Sequence, residues 1–357
     1  MPDWSKSMQQ TFEYYTVDPG TWRDVKRIDT VKTCSITWDS DTDTLGSSTI
    51  DATNSLGECY VRVYLVTIQN GITERHPLGT FLVQTPQISF DGKVNSITMD
   101  AYTPLIELKE KCPPIGYYIP ETTNDEPTNI MDKVYELTVE NLRAPVIRAM
   151  SDEKLHYDFV SETDDTWITF LRDLLANADY SFSLDELGRV LFTPDQDITS
   201  LQPVKTFDDS NSSILYPDVT VKHDLYGVPN VVEVVYSKNG ECYQARVVND
   251  DENSPLSTVN RGREIIHRET NPKFSGEPSQ EHIAEYAEQL LKALSSIEFT
   301  ITFSHAYCGV RVGDCVRLNY ERAGLTDIKA KIISQTIKCE PGCPVKAKAV
   351  FTKKLWG

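Results

Sequence analysis

The sequence predicts a mainly β protein with an α+β insert: two antiparallel β-barrel or β-sandwich domains flank a small α/β domain. Three observations carry that expectation. Residues 79–105, GTFLVQTPQISFDGKVNSITMDAYTPL, read as two strands joined at Asp91-Gly92, because glycine takes the positive φ a tight turn needs. Asn70-Gly71 and Asn239-Gly240 sit between other alternating runs and predict further hairpins. In mid-chain, Trp167, Phe170, Leu171, Leu174 and Leu175 recur at helical spacing, which gives one wide apolar stripe.

The elements follow in order. Residues 1–29 are rich in aromatics, with a Pro-Gly turn in VDPGTW. RIDTVKTCSITW (27–38) and CYVRVYLVTIQNG (from Cys59) read as strands, separated by the polar loop DSDTDTLGSSTID. In SITMDAY, Ile97, Met99 and Ala101 point one way while Ser96, Thr98 and Asp100 point the other. That is one packed and one wet face of an antiparallel sheet. Residues 1–110 are therefore expected to form the first β domain.

Composition then shifts to KCPPIGYYIPETTNDEPTN, a connector rich in turn formers. Ile130, Val134 and Leu137 predict one helix, and the 167–175 stripe a second, with Asp164 or Asp165 as its cap. YSFSLDELGRVLFTP predicts a hairpin turning at Asp185–Gly188. Residues 111–200 form the expected α/β insert. After the linker DDSNSSILYPD, residues 201–357 return to strands. A helix near 279–295 is predicted by Ser279 as N-cap and by Ile283, Tyr286, Ala287, Leu290, Leu291 and Leu294 on one face.

A weak internal repeat relates the two β segments. Gly57-Glu58-Cys59-Tyr60-Val61-Arg62-Val63 resembles Gly313-Asp314-Cys315-Val316-Arg317-Leu318, and each is followed by two more strands.

Length and composition set bounds. At 357 residues, two or three cores are expected. Lys and Arg number 35 against 53 Asp and Glu, a formal charge of −18, which argues against gripping phosphate backbones. No apolar run reaches membrane-span length and no secretion signal is evident. The eight cysteines are then expected as reduced thiols. Cys308/Cys315 and Cys339/Cys343 lack the CxxC spacing of zinc knuckles, so no metal site is expected. His76, His156, His223, His267, His282 and His305 are isolated, and the pairs Asp164/Asp165 and Asp208/Asp209 nominate no acid–base couple. Glu58 and Asp314 read as turn residues. No catalytic residue and no cofactor is expected.

Taken together, LGTFLVQTPQISFDG…ITMDAYTPLIELKEK, TWITFLRDLLANADYSFSLDELGRVLFTP and VRVGDCVRLNY followed by KAKIISQTIKC resemble the baseplate hub proteins of tailed bacteriophages and contractile injection systems. That resemblance implies two tube-type β domains per chain and a homotrimer that presents six of them. Such a ring joins a hexameric tail tube to a trimeric central spike. It contacts the tube or a distal tail protein and other baseplate proteins, and DNA only in transit. The location implied is the virion tail, assembled in the host bacterial cytoplasm. Because the chain ends at Gly357 soon after its last expected strand, host-binding or wall-cleaving activities are expected from a partner. Asp100, Glu233 and Glu241 are the candidate acidic residues facing the lumen. The competing expectation is a carbohydrate-binding or depolymerising tail protein that stacks sugar on Trp22, Tyr117 or Tyr118.

Overall fold

The computed structural model describes residues 2–90, 92, 95–123, 126–210, 212–238, 241–270, 272 and 279–356, without the side chains of 85, 95, 238 and 241. The chain is mainly β with a small α/β insert. It divides into two compact units, 1–219 with 302–349, and 220–301 with 350–357.

The first unit opens with Gln9–Val17 (β1), Asp24–Arg27 (β2), Val31–Asp39 (β3), Gly46–Ala52 (β4), Cys59–Gln69 (β5), Ile72–Phe90 (β6) and Asn95–Tyr102 (β7). The β5–β6 turn is the Asn-Gly pair expected, with φ of 52° at Asn70 and 78° at Gly71, the geometry that fits the twist of a two-residue hairpin. Strands β6 and β7 pair antiparallel, as their sequence predicts; Asp91 of their turn lies outside the described residues. The alternation in β7 holds: Ile97, Met99 and Ala101 are buried, and Ser96 and Asp100 are exposed.

The insert follows. It comprises Ile106–Lys109 (α1), Tyr118–Ile119 (β8), Thr122–Thr123 (β9), Glu126–Pro127 (β10), Ile130–Asn141 (α2), Phe159–Val160 (β11), Trp167–Ala176 (α3), Tyr180–Leu184 (β12) and Val190–Pro194 (β13). Ile130, Val134 and Leu137 of α2 join Trp167, Phe170, Leu171, Leu174 and Leu175 of α3 in one core. The cap of α3 differs from expectation. Thr166 is the N-cap and forms a capping box with Thr169, while Asp165 accepts from the Thr169 hydroxyl at 2.9 Å. A threonine one residue nearer the helix reaches the free N–H groups that either aspartate would have to bridge.

Next come Lys205–Asp208 (β14), Leu215–His223 (β15), Val231–Lys238 (β16), Glu241–Val248 (β17), Thr258–Arg261 (α4), Ile266–Thr270 (β18), Gln280–Leu294 (α5), Ser296–Ala306 (β19), Cys315–Tyr320 (β20), Leu325–Lys338 (β21) and Pro344–Lys354 (β22). In the first unit the sheet runs β22-β21-β3-β4-β7-β6-β5-β1-β2, with β20 antiparallel to β21 and β14 parallel to β20. Thus β5-β6-β7 and β20-β21-β22 are each three-stranded meanders. Residues 334–338 of β21 pair with 35–39 of β3. Accordingly Tyr307, Ile337, Cys339, Cys343 and Val345 share a core with Ile36, Ile50, Val63 and Phe81. Strand β5 is buried on both faces, which explains its continuous apolar run.

In the second unit β16 lies between β17 (antiparallel) and β18 (parallel). The apolar face of α5, with Ile283, Ala287 and Leu291, packs on Val232 and Val234. Ser279 caps α5 as expected, accepting from the His282 amide at 3.2 Å. The Asn239-Gly240 turn lies outside the described residues. No helix among the described residues is long and apolar enough to cross a membrane.

Candidate functional site

Two surfaces and one cleft of the first unit carry functional possibilities. The first surface is an arm. Strand β5 pairs with β6 only up to Val83, and β4 pairs with β7 only from Ile97 onward. Beyond those points β6 and β7 pair with each other, out to Phe90 and Asn95. The outer edge of β6 from Gln84 to Phe90 thus has backbone groups without a strand partner among the described residues. Ile88 and Phe90 on this arm are 65% and 67% exposed. An apolar hairpin with an open edge is a template for pairing with another chain.

The second surface is the wet face of β21, β3, β4 and β7. It is built mainly from short hydroxyl side chains and carboxylates, with the exposed Lys338 opposite Ser35 at the β21 end. Thr33 and Thr98 donate to the two oxygens of Asp51 at 2.5 and 2.6 Å. Those hydrogen bonds, Thr33 first, hold Asp51 below the usual carboxylate range. Thr49 donates to Asp100 at 3.3 Å, and the hydroxyls of Thr37 and Thr336 meet at 3.4 Å across the β3–β21 seam. Asp100 is therefore an exposed carboxylate on a sheet face, as its alternation predicts, with Asp51 on the neighbouring strand. The sequence places Asp51 in the expected polar loop 39–51, but Gly46–Ala52 of that stretch form strand β4. Its signal is the alternation in GSSTIDA, which puts Ser47, Thr49 and Asp51 on one side.

The other two candidate acids belong to the second unit. Glu233 faces two cross-strand arginines, Arg268 at 2.7 Å and Arg246 at 3.2 Å. Arg268 foremost holds it ionised. Its charge is balanced by those two cations. Glu241 is placed at the start of β17, and its side chain lies outside the described residues.

The cleft, of about 490 Å³, opens where the β12–β13 hairpin meets β3, β6, β21 and the 307–314 loop. Its turn is locked in place. Trp22 Nε1 donates to Leu187 O at 2.7 Å, Arg62 Nη2 to the same carbonyl at 3.1 Å, and Thr80 to Glu186 O at 3.3 Å. Glu186 pairs with Arg311, and the Arg311 amide donates to Asp314 at 2.8 Å. Burial pushes both Glu186 and Asp314 up from the usual carboxylate range.

The aromatics considered for sugar stacking are differently placed. Trp22 lies edge-on to Tyr60 and is held by Leu187, and Tyr117 packs edge-on to Trp167 and Phe170. Tyr118 is 56% exposed. Among the described residues no group of three His, Cys, Asp or Glu is arranged to hold a metal. The eight cysteines are free thiols. Burial depresses His305 to about 4.

No family model matches the sequence, and no curated protein matches it. Solved structures do share the fold. The tail protein from Neisseria meningitidis MC58 superposes with a TM-score of 0.60 at 12% identity, covering 96% of this chain and 96% of that one. The 43 kDa tail protein of prophage MuSo2 from Shewanella oneidensis superposes at 0.59 and 11% identity, over 96% and 98% of the two chains. A chain of the Francisella PdpA-VgrG complex superposes at 0.54 and 10% identity, over 97% of this chain and 58% of that one. At these identities the likeness is one of fold.

Proposed function

We propose that this chain is a structural hub of a phage-type tail baseplate. Three copies close into a ring that joins a hexameric tail tube to a trimeric central spike and forms part of the DNA channel. The observation that carries this reading is the fold shared with two tail proteins over nearly the whole of both chains. In this reading, segments 1–110 and 201–357 serve as tube-type β domains around the 111–200 insert. The meanders β5-β6-β7 and β20-β21-β22 are the repeated parts, so a trimer presents six related β units to a six-fold tube. The partners are other copies of the chain, the spike, the tube or a distal tail protein, and further baseplate proteins. The site of action is the virion tail, assembled in the host bacterial cytoplasm.

The wet face of β21, β3, β4 and β7 supplies the lumen wall. Asp100 and Asp51 repel the phosphates of DNA in transit and the short hydroxyls offer them no cationic grip, against the positive charge of Lys338 at the β21 end of the face. Glu233 and Glu241 are the second segment's candidates, with Glu233 weakened by its arginines.

The arm supplies the subunit contact, since pairing its open edge in a closed ring removes that edge. Sedimentation of the purified chain at micromolar concentration tests this. A species of three 40.4 kDa chains is expected. Combined Ile88→Asp and Phe90→Asp should shift it to monomer without changing the thermal midpoint of the monomer. A wild-type chain that stays monomeric, with and without a spike partner, overturns the reading.

A further inference from the structure

We infer that the cleft beside Trp38 binds a neutral saccharide through an N-acetylated hexosamine unit. Trp38 and Gln335 are direct partners across the β3–β21 pairing, so their side chains lie side by side on one face. Both line the cleft. The Trp38 indole is fixed by its Nε1 donating to Leu78 O at 3.3 Å and by packing against Phe81, ring centroids 5.6 Å apart, and the part of the ring that core packing leaves uncovered lines the cleft.

Gln335 is only 2% exposed, and its Nε2 has no hydrogen-bond partner among the described residues. A buried amide donor left unpaired is costly, so it marks a place where an acceptor is missing. Nε2 is closed off from solvent, so it meets a carbonyl in the cleft by rotation about the terminal amide torsion, which is soft in glutamine.

The rest of the wall selects the class of ligand. Asp185, Glu186, Asp195 and Asp314 outnumber Arg311 and Lys331, which disfavours phosphates and acidic sugars. Leu78, Val310 and Ile337 give an apolar patch in the same cleft. An acetamido group matches that pairing: its carbonyl accepts from Gln335, and its methyl rests on the patch. Ring hydroxyls, each donor and acceptor, suit the carboxyl groups and Ser183. The volume of about 490 Å³ is within the range of roughly 300–1,000 Å³ usual for small-molecule sites.

The test uses the purified full chain, titrated with triacetylchitotriose and with cellotriose, which carries hydroxyls where the first carries acetamido groups. Calorimetry and tryptophan fluorescence report binding. Triacetylchitotriose should bind with Kd of ~1 mM or tighter, and cellotriose about tenfold more weakly. Gln335→Met should lose about tenfold in affinity for triacetylchitotriose, the worth of one hydrogen bond to a buried donor. The inference is overturned if triacetylchitotriose does not bind, if cellotriose binds equally well, or if Gln335→Met binds like the parent. If Gln335→Met fails to fold, the comparison of the two sugars decides alone. The assay needs no tail assembly, so its outcome is separate from that of the hub reading.

Discussion

The indole Nε1 of Trp22 and the carbonyl of Leu187 meet at 2.7 Å although 165 residues separate them in the chain. That bond is one strand of a knot. Arg62, buried in β5, donates to the same carbonyl, to Thr80 at 2.9 Å and to Asp24 at 2.9 Å. Arg311 holds Glu186 from the other side. The turn of the insert hairpin is thereby fixed to residues from the beginning and the end of the chain.

Gly188 is the point where that knot is least tolerant. Its φ is +74°, and an added Cβ would lie 2.8 Å from Thr80 Cβ. Gly188→Ala should cost about 1–3 kcal/mol in chemical denaturation from backbone conformation alone, with the collision adding to it. Thr80→Ala should not rescue the variant, because the colliding atom is retained. A Gly188→Ala chain as stable as the parent would mean the turn is not held as described.

His305 contributes to the acid limb of stability, alongside carboxylates held below their usual range such as Asp43 and Asp51. Its ring is buried against Phe207 and Phe303, and burial lowers it from 6.5 to about 4. As pH falls below about 6.5 the unfolded chain takes up a proton that the folded chain refuses. Stability is therefore lost between about pH 6.5 and 4, by about 3 kcal/mol from this group. Glu186 and Asp314, raised by burial, act in the opposite sense through the carboxylate range. The difference in slope between the parent and His305→Leu isolates the histidine. Equal slopes would contradict its burial as a neutral ring.

Thiol reactivity should follow burial. Cys112 and Cys242 are exposed, whereas Cys34, Cys315, Cys339 and Cys343 are buried, and burial pushes Cys343 up to about 12. A disulfide reagent at pH 8 should modify two thiols quickly in the native chain, and all eight after denaturation. Rapid native labelling of Cys339 or Cys343 would show that the β3–β21 seam opens.

Local chemistry made much of this fold legible. Asn70-Gly71 demanded a tight turn, the alternation around Met99 sorted one strand into two faces, and Ser279 announced α5. Partner strands were not legible. Alternation assigns a residue to a face but not to a neighbour. Nothing in Ser35–Asp39 or Ser334–Lys338 signals that they pair across the length of the chain. The same limit hid the Trp38–Gln335 pair; Asp51 was hidden because the polar run GSSTID has only one strong apolar residue and reads as a loop rather than as β4. The two arginines that face Glu233 were hidden, like the Trp38–Gln335 pair, because they arrive from partner strands, β17 and β18.

The most direct test of the hub reading is electron microscopy of assembled particles carrying a label on this chain. Three-fold density on the tail axis, between tube and spike, with Asp100 and Asp51 lining an electronegative channel, is the predicted result. Density at the tail periphery, or an axial channel with an electropositive or apolar wall at those strands, would contradict it.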